Sequence, residues 1–222
     1  MKNKFGFTLA EILIAIVIIG VIATFTIHTA HNHAMKQKTE KKVAQFYSII
    51  NAAMRRSYID NGILPELERS KMSYNGNVTW LMTYLLPYVN YVEYSNCGDT
   101  NSFRTNAVCV RLANGTLFEF VSGTDGGDIL FFPDGQFFNS TNKSQRLQRK
   151  FFAFQFAKKL ASNQNTISQT GFIEPYVFTW NGTRNGLIND SQYGCKNGSK
   201  GPWFCTKMLE LNGWKIPNDY PW

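Results

Sequence analysis

The chain carries no P-loop, no H-E-x-x-H pair, no G-x-S-x-G elbow and no glycine-rich dinucleotide fingerprint. Nucleotide hydrolysis, zinc proteolysis, serine hydrolysis and Rossmann redox chemistry therefore have no motif to rest on, and an enzyme is not expected. It also lacks any C-x-x-C pair or Cys/His zinc spacing. His28, His31 and His33 are the three histidines; on a helix His28 and His31 share a face while His33 turns away, which leaves a metal set incomplete. Neither a cofactor nor a metal is expected. Internal repeats and low-complexity linkers are missing as well. One further gap is local: no Lys or Arg lies between Phe7 and Ile27.

That gap coincides with the longest apolar run, broken by a single carboxylate, Glu11. As a helix, Phe7 to Ile27 is about 32 Å long, enough to cross a bilayer core. A carboxylate inside a membrane is rare and costly, and by default it is functional and needs a partner. This helix supplies no cation. The nearest one would be an amino terminus created at Phe7, or that of a neighbouring copy. A secretory signal peptide has its small-residue cleavage site after the apolar run. Here Gly6 precedes it, so processing after Gly6 would leave the run on the mature protein.

Formal net charge is +8 over 222 residues, falling by two if Lys2 and Lys4 leave with a leader. That permits anionic partners without requiring them. The length suits one domain plus an anchor. Cys97, Cys109, Cys195 and Cys205 form two close pairs in surroundings rich in Gly, Asn and Ser. An even count behind an anchor points to an oxidising compartment. Three pairings are open; short closure favours Cys97–Cys109 and Cys195–Cys205, each stabilising by ~3 kcal/mol in the chain-entropy model.

Beyond the run, Val43, Phe46, Tyr47, Ile50, Met54 and Tyr58 recur at three and four, an amphipathic helical stripe ending near Asn61-Gly62. A second helix is expected over Asn77 to Leu86, stopped by Pro87. Ala107 to Leu112 and Thr116 to Val121 flank Asn114-Gly115, a hairpin signal. Ile129 to Phe132 and Gln136 to Phe138 flank Pro133-Asp134-Gly135. Phe151 to Phe156 and Tyr176 to Trp180 read as strands, and Pro202 to Leu211 as a short helix closed by Gly213.

The stretch Gly6-Phe7-Thr8-Leu9-Ala10-Glu11, with its basic leader and the apolar run behind it, resembles the processing and methylation signature of type IV prepilins and type II secretion pseudopilins. Gly20 falls where many of these helices carry a Gly that loosens during assembly; His28 stands where many carry Pro. The resemblance implies cleavage between Gly6 and Phe7, N-methylation of Phe7, and a role for Glu11 in docking subunits into a helical filament. The implied fold is α+β and pilin-like. A long N-terminal transmembrane and amphipathic helix packs on an antiparallel-sheet head. Residues 1–6 would be leader, 7–60 the helix with 7–27 transmembrane, and 61–222 an extracytoplasmic head. The implied partners are a prepilin peptidase, other pilin or pseudopilin subunits, an inner-membrane assembly platform and membrane lipid. The chain would sit single-pass in the inner membrane and then in a filament. Positive-inside counting weighs Lys2 and Lys4 against Lys36, Lys38, Lys41 and Lys42 and alone favours the opposite orientation; the prepilin-like leader and the cysteines outweigh it.

Two other functions stay open. Lys143, Arg146, Arg149, Lys150, Lys158 and Lys159 surround Phe151, Phe152, Phe154 and Phe156, a pattern able to bind nucleic acid by charge and stacking. A DNA-binding minor, competence-type pilin would use it so. The preferred reading is a solvated basic face beside a buried strand. A membrane-anchored extracytoplasmic enzyme or sensor is the other alternative. Asp125, Asp128 and Asp134 lie among glycines but lack calcium-loop spacing, and turn chemistry is preferred. Trp203, Trp214 and Trp222 either close the core or form a contact patch.

Overall fold

The computed structural model describes residues 8–62, 72–97, 105–123, 126–136, 149–156, 173–196 and 201–222. One helix, α1, runs unbroken from Leu9 to Asn61, through Gly20 and His28. It belongs to two units, residues 1–38 and 39–222.

In the first unit α1 is long and apolar enough to cross a membrane, and its side chains from Leu9 to Ile27 are exposed. The few hydroxyls there are satisfied within the helix. Thr24, Thr26 and Thr29 donate to the carbonyls of Gly20, Ile22 and Phe25 at 2.8, 2.8 and 3.0 Å. A hydroxyl so bonded strands no polar group in an apolar setting.

In the second unit six antiparallel strands form one sheet in sequence order. They are β1 (Tyr91–Asn96), β2 (Val108–Leu112), β3 (Leu117–Gly123), β4 (Gly126–Phe132), β5 (Phe152–Phe156) and β6 (Ile173–Pro175). A long apolar helix followed by an antiparallel sheet is the α+β, pilin-like arrangement. The helices α2 (Tyr74–Tyr84), α3 (Arg184–Asn189) and α4 (Cys205–Leu211) complete it.

The stripe on α1 packs against the sheet. Phe46 stacks on Phe131 at 4.1 Å and meets Phe118 and Phe154 at 5.7 and 5.4 Å. Because alternate strand residues share a face, Phe120 and Phe156 continue this layer, and Trp80 of α2 covers them at 5.2 and 5.3 Å. The alternate positions face the other way. There Phe151 meets Phe132 and Trp203, and Trp203, Tyr193 and Phe204 surround Tyr176. The sheet is thus apolar on both faces, which explains why β5 is buried along its whole length.

Both glycine turns form, with a geometry set by one residue each. Gly115 alone has positive φ (+79°) in the β2–β3 turn, where its N–H donates to Leu112. The turn is therefore the three-residue loop with a left-handed glycine rather than a two-residue type I′ turn. Gly135 repeats this after β4 (φ +67°). The two turns touch: a Cβ on Gly135 would run into the Gly115 carbonyl oxygen. Lys42 of α1 donates to the Pro133 carbonyl at 2.6 Å and holds the second turn to the helix.

The tail returns to α1. Glu40, buried, accepts from the Ile216 N–H at 2.8 Å and from Lys215 at 3.4 Å. Trp214 lies 4.7 Å from Tyr47, and Arg184 of α3 binds Asp219, with its Nε donating at 3.0 Å. Tyr220 is buried, and burial pushes its phenol far above the ordinary range, so it packs as a neutral ring.

Some sequence expectations need correction. Tyr176 to Trp180 is not a strand. Pro175 ends β6, Tyr176 makes one last bond to Ala153, and the chain turns at Thr179 (φ +61°). The α2 helix starts at Tyr74, because Ser73 caps it by accepting from Gly76 N–H. Phe137 and Phe138, expected in a strand, lie outside the described residues.

Candidate assembly site

Glu11 opens α1. Its Oε2 accepts from the Thr8 N–H and the Thr8 hydroxyl, both at 2.8 Å, and its own N–H donates to the Thr8 hydroxyl at 3.3 Å. This is the reciprocal capping box of a helix start, Thr8 at the cap and Glu11 three residues on. The expectation that this helix supplies no partner for Glu11 holds for cations only. Two donors at Thr8 serve the carboxylate within the chain, and T-x-x-E is their sequence signal. Gly6 and Phe7 lie outside the described residues. Glu11 is thus oriented on the residue that directly follows Phe7. An added cation can reach its remaining lone pairs without unwinding the helix.

The cysteines lie in two local bridges. Cys97 and Cys109 are joined with Cα atoms 5.7 Å apart, and Cys195 and Cys205 with Cα atoms 4.8 Å apart. Both are buried. The first ties the residue after β1 to the second residue of β2; the second ties the segment after α3 to the first residue of α4. They brace the head far from Glu11 in sequence and take no part in the α1 start.

The other candidates do not assemble into sites. Asp128 is the third residue of β4, opposite Gln155, and Asp134 follows β4 in the turn, 4.0 Å from Lys150. The four remaining residues of β4, roughly 13 Å of strand, and Pro133 separate them; Asp125 is outside the described residues. Among the described residues no three His, Cys, Asp or Glu side chains gather where an ion could be held. Phe151, Phe152, Phe154 and Phe156 are buried, so they offer no stacking platform to a base. Lys143, Arg146, Lys158 and Lys159 lie outside the described residues, and Arg149 sits over Trp222 at 4.8 Å. Trp203, Trp214 and Trp222 are partly buried and packed on the core.

Residues 1–27 match the prokaryotic N-terminal methylation motif, the signature of type IV pilins and pseudopilins. With the apolar helix behind it, the motif marks a pilin-like or pseudopilin precursor and fits a membrane-anchored structural subunit rather than an enzyme. Residues 29–222 match a family of unknown function (DUF6613), and the chain belongs to that family. Comparison with curated proteins and with solved structures finds no match.

Proposed function

We propose that the chain is a structural subunit of a type IV pilus or type II secretion pseudopilus. A prepilin peptidase cuts after Gly6 and methylates the Phe7 amino group. The mature protein waits in the inner membrane on residues 7–27, with the head from 61 to 222 outside. An assembly platform then moves it into a helical filament with other subunits. The observation that carries this reading is the capping box. It holds Glu11 ready beside the position of the new amino terminus, where a neighbour's Phe7 ammonium would find an opposite charge in a low-dielectric setting. The buried disulfides support an oxidising location for the head.

The test is Glu11→Ala expressed without wild type. Loss of the carboxylate makes the helix more apolar, so membrane retention is kept, while recovery in sheared filaments falls to background. Incorporation at wild-type amounts contradicts the role of Glu11. The DNA-binding alternative loses its aromatic half with the burial of the four phenylalanines.

A further inference from the structure

Asn181-Gly182-Thr183 is one of seven Asn-x-Ser/Thr triplets in the chain, and the function proposed above uses none of them. With x other than Pro, such a triplet is the acceptor pattern for an N-linked glycan when it lies in a surface loop of an exported domain. The triplets at Asn139, Asn142 and Asn197 lie outside the described residues.

The structure separates the other four. Asn77 is buried with both ends of its amide engaged: Nδ2 donates to the Asn106 carbonyl at 2.9 Å, and Oδ1 accepts from the Ser122 N–H at 3.2 Å. Asn189 gives its Nδ2 to Asn185 Oδ1 at 2.7 Å. Asn114 is exposed, but the hydroxyl residue of its triplet, Thr116, is buried. A transferase that reads this pattern has to reach the hydroxyl residue as well as the Asn. Asn181, Gly182 and Thr183 are all exposed.

The Asn181 carboxamide is held by its oxygen alone. Oδ1 accepts from the Thr183 N–H at 3.0 Å and from the Thr183 hydroxyl at 2.8 Å, so the two residues that define the triplet already touch. Nδ2 makes no hydrogen bond among the described residues. A Cβ on Gly182 would meet nothing within 4 Å, so the space beside the acceptor is open.

We propose that Asn181 is the acceptor of an N-linked glycan on the head. The proposal rests on the extracytoplasmic placement of the head given above. The donor class is a glycan joined through a diphosphate to a membrane polyprenol. Asn181 Nδ2 bonds to the anomeric carbon as the bond from that carbon to the diphosphate oxygen breaks. The polyprenyl diphosphate leaves with the electron pair, and one Nδ2 proton passes to a base of the transferase. No oxidant or reductant is needed.

The experiment is peptide mapping by mass spectrometry of the full chain purified from native membranes, with and without an amide-cleaving glycosidase. The same digest reads the N-terminus and the state of the cysteines, which report export independently. A glycan on Asn181 is expected, with none on Asn77, Asn114 or Asn189, and the glycosidase should leave Asp at position 181. Thr183 also caps α3 by accepting from the Gly186 N–H at 3.0 Å. Thr183→Asp retains a capping residue but breaks the triplet; it should keep both disulfides and lose the glycan to background. Thr183→Ser retains cap and triplet and should keep the glycan. An unmodified Asn181 in a chain that begins at Phe7 with both disulfides formed overturns the proposal and leaves the subunit reading standing. A chain that begins at Met1 with free thiols and no glycan overturns both. Asp at 181 without glycosidase, a glycan that survives Thr183→Asp, or one on Asn114 or Asn189 in place of Asn181 also overturns it.

Discussion

Asn51 of α1 accepts from the Ile173 N–H at 2.9 Å and donates to the Ile173 carbonyl at 3.2 Å. One helical side chain thereby satisfies both backbone groups of Ile173, the first residue of β6. An edge strand with free backbone groups invites further pairing; here the helix that carries the head occupies the edge at Ile173. Gln155 supports the same corner, donating to Glu174 at 2.8 Å and accepting from the Val177 N–H at 3.2 Å.

Asn51→Ala is accordingly expected to destabilise the head by about 2–3 kcal/mol, because it strands a buried donor and a buried acceptor at once. Urea unfolding of the detergent-solubilised chain, followed by tryptophan fluorescence, checks this. A change within a few tenths of wild type would mean that water or a shifted strand replaces Asn51.

Non-reducing peptide mapping is expected to recover the pairs Cys97–Cys109 and Cys195–Cys205 from protein made in its native envelope. Their sequence separations, 12 and 10, make each loop short. Replacing either pair by serine should lower unfolding stability by ~3 kcal/mol in the chain-entropy account. Four free thiols would remove the argument for an oxidising compartment.

Acid should weaken one specific tie. Asp219 is held below its ordinary value of 3.8, chiefly by the hydrogen bonds from Arg184. Its folded-state affinity for a proton is lower than its unfolded one. The tie therefore contributes above the unfolded value and is lost as pH falls through the folded one. Both side chains are nearly half exposed, so the contribution is modest. Wild type should be more stable than Asp219→Asn at pH 7, and the gap should shrink as pH falls below the ordinary carboxylate value of 3.8 and through the lower folded-state one. A gap that is constant with pH would assign the effect to packing of the tail.

The elements legible in the sequence are those with a strong local pattern. The α1 stripe shows in Val43, Phe46, Ile50 and Met54, and both glycine turns show in their Gly115 and Gly135 dipeptides. What escaped has physical reasons. β1 is an edge strand almost wholly exposed from Tyr91 to Asn96, so no apolar alternation marks it. α3 spans only Arg184–Asn189, too short for periodicity, and only its Thr183 cap signals it. The pairing of Asn51 with Ile173 joins residues 122 positions apart and leaves no local trace. At the candidate site, the charge of Glu11 stands out in the apolar run. Its bond to Thr8 lies in the weaker T-x-x-E pattern, which the charge overshadows.

The central claim is that this chain is a processed pilin-like subunit, and the mass of the mature N-terminus tests it most directly. Protein purified from native membranes is expected to begin at Phe7, to lack the six residues through Gly6, and to carry one methyl group on its amino nitrogen. Gly6 replaced by a bulky residue should leave the full-length precursor, since a peptidase approaching this close to the backbone needs a position without a side chain. An intact N-terminus at Met1 in the native host, or a cut behind the apolar run, would contradict the account.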